Sequence, residues 1–131
     1  MIKVLFVCMG NICRSPMAEA VFQKMVNDAG LSDQIQVDSA GTGGWHAGEP
    51  AHEGTLAILR KQNIAYEGRA RQLQRRDLDE YDYVLAMDRE NLSYILRVAA
   101  GARAEIALFL YYARQAGVVN TDEVPDPYYD N

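Results

Sequence analysis

The first apolar positions run without a gap: Val4, Leu5, Phe6, Val7. A continuous run of this kind, rich in β-branched and aromatic residues, predicts a strand buried on both faces. From Met17 to Ala29 the period changes. Met17, Ala18, Val21, Phe22, Met25 and Val26 recur at helical spacing, and Gly30 supplies the C-cap. Just before them, Ser15-Pro16 reads as a helix start, with Ser15 at the N-cap, Pro16 at the first helical position and Glu19 in the first turn. Ile35-Gln36-Val37 alternates as a short strand, and the Gly-dense stretch from Asp38 to His46 predicts an irregular loop carrying an isolated Trp45.

A second helix is predicted over Ala51–Gln62. The segment from Tyr66 to Asp79 predicts a short extended piece and a short helical turn, with Arg69, Arg71, Arg75 and Arg76 forming a solvated face. Tyr81–Met87 reads as a third strand, and Asp88 then caps a helix through Arg97 with Leu92, Ile95 and Leu96 on its apolar face. Ala104–Leu110 fits a fourth strand, while a helix continuing through Tyr112 and Arg114 fits the same periodicity. After Val124, Pro125 and Pro127 forbid regular structure.

Strands separated by helical patterns predict one α/β domain of three layers: a central four-stranded parallel sheet flanked by helices. A chain of 131 residues is long enough for one such core and too short for two. In these sheets a ligand sits beyond the carboxyl ends of the strands, at a topological switch point, and the loop after the first strand lies there.

That loop carries the chemistry. Cys8 opens the loop, Arg14 closes it just before the Ser15 cap, and Met9, Gly10, Asn11, Ile12 and Cys13 lie between. A thiol held over backbone N–H groups and the positive end of a helix is placed both to bind an anion and to ionise. Gly10 permits unusual φ, and Asn11 tolerates the left-handed region.

Net charge narrows the partners. At −5, the chain does not read as a general binder of nucleic acid or of anionic membranes. The N-terminal apolar run is too short for a secretion signal, and no stretch approaches the length of a membrane span. Two cysteines five positions apart make no disulfide framework, so a reduced, cytoplasmic compartment is expected. No His, Cys and Asp cluster has metal-ligand spacing, so the chemistry is expected to need no metal or other cofactor.

The residues from Val7 to Phe22, Val-Cys-Met-Gly-Asn-Ile-Cys-Arg-Ser-Pro-Met-Ala-Glu-Ala-Val-Phe, resemble the signature of the low-molecular-weight protein tyrosine phosphatases. The resemblance continues through Asp38-Ser39-Ala40-Gly41-Thr42, Trp45-His46, Ala70-Arg71-Gln72, Ala86-Met87-Asp88-Arg89-Glu90-Asn91-Leu92 and Asp126-Pro127-Tyr128-Tyr129, in family order. It implies that Cys8 attacks phosphorus and forms a phosphocysteine. Arg14 then grips two phosphoryl oxygens, residues 9–13 and Ser15 form and brace the cradle, and Asp126 is the general acid and then the base. Ile12, Trp45, Tyr128 and Tyr129 are expected to wall the substrate slot. Cys13 is either a plain loop residue or a reversible disulfide partner that protects Cys8. Tyrosine-phosphorylated proteins are the implied partners, with inorganic phosphate and other oxyanions as inhibitors.

Three rival functions share these residues. An arsenate reductase on the same fold would relay a disulfide through later cysteines, and none follows Cys13. In the similar protein-arginine phosphatases the loop reads Gly-Asn-Thr-Cys-Arg, whereas Ile12 here presents a larger aliphatic group that should exclude a guanidinium. A non-catalytic phosphoprotein-binding module would need neither Cys8 nor Asp126. The family also continues past Asp-Pro-Tyr into a closing helix. The resemblance therefore implies that residues 1–131 lack that helix and leave apolar area uncovered, at about 25 cal/mol per Å² left wet.

Overall fold

Strand β1 (Ile2–Cys8) is the axis of the sheet, and the computed structural model describes it and the rest of residues 1–125. On one side β1 pairs in parallel with β2 (Ile35–Gly41), and on the other with β3 (Tyr83–Ala86). β4 (Glu105–Leu108) adds to β3, giving the order β2-β1-β3-β4 with every pair parallel. Because the chain leaves β1 for one neighbour and later returns to the other, the crevice at the carboxyl end of β1 is the switch point. Cys8 stands there.

The β1 side chains alternate between two cores, as period two requires. Leu5 and Val7 face Leu78, Val84, Ala86 and Ile95. Val4, Phe6 and Cys8 face Val26, Leu85 and Met87. Helix α1 (Arg14–Asp28) covers the second face, where Phe6 meets Phe22 and Phe109 edge to face at 5.8 and 5.1 Å. Phe109 opens α5 (Phe109–Gln115). Helices α3 (Asp77–Glu80) and α4 (Arg89–Arg97) cover the first face, and α2 (Glu53–Lys61) packs on α1. The three-layer parallel architecture is as expected.

Several boundaries differ from the sequence reading. Helix α1 starts at Arg14, with Cys13 at the N-cap and no side-chain cap, so Ser15 is not the cap and Glu19 lies beyond the first turn. Gly30, at φ +72, is the left-handed residue just after the C-cap Ala29. β2 runs four residues past Val37, since its register with β1 holds to Cys8 opposite Gly41. Partner pairing overrides the weak strand propensity of Asp-Ser-Ala-Gly. β3 is trimmed to Tyr83–Ala86 and α2 to Glu53–Lys61, the latter capped by the His52 ring accepting from the Gly54 N–H. Asp88 caps α4 as predicted, accepting from the Asn91 N–H at 2.8 Å. Residues 104–110 divide between the two alternatives: β4 through Leu108, then helix from Phe109.

An apolar groove of about 810 Å³ runs along α1, lined by Met17, Val21, Met25, Ile58 and Phe109. Among the described residues no helix is long and apolar enough to cross a membrane.

Candidate active site

The loop between Cys8 and Arg14 turns on Asn11, whose φ of 57° is left-handed. Asn is among the few residues that tolerate this region. The turn brings the Asn11 N–H to 3.3 Å from Cys8 Sγ, and the first turn of α1 brings Ser15 Oγ to 2.9 Å from the same sulfur. Beneath the loop lies Gly41. A Cβ there would stand 2.8 Å from the Met9 carbonyl oxygen and 3.1 Å from the Asn11 nitrogen. Only glycine lets β2 pass so close. The loop is also tied down at its rim, where Gly43 donates to the Met9 carbonyl and His52 to the Ile12 carbonyl.

The Asn11 carboxamide is fully buried, and its Oδ1 accepts from the Arg71 backbone N–H at 2.9 Å. A backbone N–H can only donate, so Nδ2 must face the other way. It donates to Ser15 Oγ at 2.8 Å and to Ser39 Oγ at 2.9 Å. Each hydroxyl, having accepted, keeps its single proton to give away. A Cys8 thiolate can only accept, so Ser15 gives its proton to Cys8 Sγ and steadies the negative sulfur; Ser39 gives its proton to Glu19 Oε1 at 2.6 Å.

Sequence reasoning missed the groups behind this network. Burial raises the Glu19 carboxyl above its ordinary range, against the lowering effect of its bonds from Ser39 and Tyr66. Burial likewise pushes the Tyr66 phenol up, with Glu19 beside it adding to the shift. Arg71 is not part of a solvated face. It is half-buried between Asp38 and Asp77, with ion pairs of 3.2 and 3.0 Å. Burial works against its charge, but the hydrogen bond to Asp77 and the charges of Asp38 and Asp77 outweigh that and hold the guanidinium protonated. These pairs fix the extended segment whose N–H reaches Asn11. The four-residue spacing of Ser15 and Glu19 was the one available signal, since it places both on one face of α1.

Arg14 is 6% exposed and begins α1 with its guanidinium tied back. Nη1 donates to Asp88 Oδ2 at 2.8 Å and to the Val124 carbonyl at 2.7 Å. Asp88 thus both caps α4 and orients Arg14. Val124 in turn donates to the Met87 carbonyl at 2.7 Å, which anchors the segment leading to Pro125 beside the loop. Asp126, Tyr128 and Tyr129 lie outside the described residues.

Of the other expected residues, Ile12 and Cys13 are buried and cluster with Ala70. Cys8 and Cys13 are both buried thiols, not joined to each other. Trp45 is 70% exposed, and its ring lies hard against Gly43, where no Cβ would fit. His46 leans on Gly10 and pairs with Glu49 at 3.1 Å.

A thiol, a buried arginine and a helix N-terminus on one loop suit attack on a phosphoryl group. The family model for the low molecular weight phosphotyrosine protein phosphatases matches residues 3–131. The chain belongs to this family. The low molecular weight protein-tyrosine-phosphatase YfkJ of Bacillus subtilis is 51% identical over 98% of this chain and 82% of its own. PtpA of Staphylococcus epidermidis, of the same description, is 44% identical over 100% and 81%. The crystal structure of YfkJ superposes with a TM-score of 0.92 over 98% of this chain and 80% of its own. That of a drosophila arginine phosphatase, 32% identical, gives 0.90 over 99% and 83%. As a member of this family the chain is a phosphotyrosine protein phosphatase.

Proposed function

We propose that this protein hydrolyses phosphotyrosine in proteins through a phosphocysteine on Cys8. The observation that carries the reading is the directed pair of hydrogen bonds onto Cys8 Sγ, from Ser15 and from the Asn11 N–H, with Arg14 locked on the same loop. The Cys8 thiolate attacks phosphorus, the P–O ester bond breaks, and Asp126 gives its proton to the departing phenolate. Asp126, now a carboxylate, takes a proton from water as that water attacks phosphorus. The P–S bond breaks, releasing inorganic phosphate and the thiolate. Arg14 and the loop N–H groups hold the phosphoryl oxygens, most strongly in the transition state. Trp45, Tyr128 and Tyr129 flank the ring, and phosphate and related oxyanions compete for the cradle. When a peroxide oxidises Cys8 to the sulfenic acid, the Cys13 thiol attacks that sulfur, water leaves, and the resulting disulfide shields Cys8 until a thiol reductant reopens it.

Ile12 favours the aryl ester over phosphoarginine, since a buried aliphatic group offers a guanidinium no acceptor. Turnover of p-nitrophenyl phosphate, a phosphotyrosine peptide and a phosphoarginine peptide tests the reading. Activity on the two aryl esters, lost in Cys8→Ser and reduced in Asp126→Ala, supports it. Equal rates on phosphoarginine, or a Cys8→Ser protein that keeps its rate, would overturn it.

A further inference from the structure

The mechanism uses Cys8, Arg14 and Asp126, and leaves unexplained why a carboxylate is drawn into the protein behind the loop. Glu19 is half-buried on α1, with Ser39, Asn11 and Ser15 between it and Cys8. Its Oε1 accepts two hydroxyl protons, from Ser39 at 2.6 Å and from Tyr66 at 2.8 Å. Between Glu19 and Cys8 every link is buried: Ser39 is 3%, Asn11 2% and Ser15 0% exposed. The remaining charges behind the loop are otherwise engaged, with Asp38 held by Arg71 and Tyr81, and Asp77 by Arg71.

We propose that Glu19 is a positioning residue for the Cys8 thiolate, acting through Ser39, Asn11 and Ser15 and held in place by Tyr66; the proposal rests on the reading of Cys8 as nucleophile. An acceptor at Glu19 Oε1 turns the Ser39 proton away from Asn11. Ser39 Oγ is then free to accept one N–H of the Asn11 carboxamide. With that N–H engaged, the second N–H is aimed at Ser15 Oγ, and the Ser15 proton has one destination, Cys8 Sγ. Without the acceptor the Ser39 hydroxyl can rotate and the carboxamide loses one of its three fixed contacts. Ser15 is then no longer held toward sulfur, and the thiolate loses that hydrogen bond.

The test reads the thiol directly and so does not depend on turnover. In a Cys13→Ser background, where Cys8 is the sole thiol, iodoacetate alkylation is measured at about pH 6 and about pH 9.5. The ratio of the two rates reports how readily the thiolate forms. Glu19→Met keeps length and volume but offers no acceptor, and lowers the ratio about three- to tenfold, the effect of one ordinary hydrogen bond. Glu19→Gln keeps an acceptor oxygen and stays within about twofold of the parent. Adding Glu19→Met to Ser15→Ala changes nothing further, because the path to sulfur is already cut. Ser39→Ala breaks the same path at another link and serves if Glu19→Met does not fold. A folded Glu19→Met and Ser39→Ala pair with the parent ratio would overturn the proposal, as would an equal fall on top of Ser15→Ala. If instead Cys8→Ser retains phosphatase turnover, the reading of Cys8 fails, whatever the alkylation shows.

Discussion

Replacing Asn11 separates the two demands the loop makes on it. In Asn11→Ala three hydrogen bonds disappear: those to Ser15, to Ser39 and from the Arg71 N–H. Each is worth about 1 kcal/mol net, and the Arg71 N–H left unpaired beneath the loop adds roughly 1–2 kcal/mol. Alanine at φ 57° adds about 1 kcal/mol more. The expected loss is about 5–6 kcal/mol, a large part of a small domain's stability. Asn11→Gly loses the same bonds without the backbone strain, and is about 1 kcal/mol more stable than Asn11→Ala. Asn11→Asp keeps the shape and the acceptor for Arg71, but turns a donor pair into an acceptor. Ser15 and Ser39 then donate to the new carboxylate instead of to Cys8 and Glu19, and kcat falls at least about tenfold. Urea unfolding gives the stabilities and p-nitrophenyl phosphate turnover the rates. An Asn11→Ala protein within about 1 kcal/mol of the parent, or an Asn11→Gly protein less stable than Asn11→Ala, would contradict both roles of Asn11.

Gly41→Ala forces a methyl group against the Met9 carbonyl and the Asn11 nitrogen, with an expected stability loss of about 1–3 kcal/mol and at least tenfold lower kcat. Urea unfolding and turnover check it together. Asp88→Asn keeps the cap on α4 but removes the charge that orients Arg14, so kcat/KM falls about tenfold while the urea midpoint hardly moves. Glu19 gives a pH signature. Its carboxyl is raised in the folded state, so between the ordinary value of 4.5 and the folded one the native protein holds more protons than the unfolded chain. Stability present below that window is lost as pH rises through it, and Glu19→Gln flattens this slope in urea midpoints taken from about pH 4 to 8.

The sheet was readable because a strand buried on both faces is apolar throughout, as Val4 to Val7 are, and the helices because their stripes kept a clean period. The nucleophile loop was readable because its residues are contiguous. Ser15 was misread for a physical reason: before Pro16 it looks like an N-cap, yet its hydroxyl is spent on Cys8 and Asn11 while the backbone starts the helix two residues earlier, at Arg14. Arg71 looked solvated because its neighbours in sequence are charged. What buries it, Asp38 on β2 and Asp77 at the start of α3, comes from segments that only the fold assembles. Glu19 was hidden in the same way, its partners Ser39 and Tyr66 lying 20 and 47 residues away.

The central claim is that phosphate passes through Cys8. Acid quench of the enzyme during turnover of a phosphotyrosine peptide, followed by peptide mass analysis, tests it most directly. A phosphocysteine intermediate gives a mass gain of one phosphoryl group on Cys8, absent in Cys8→Ser, which does not turn over. A phosphoryl group found on another residue, or steady turnover by Cys8→Ser, would contradict it.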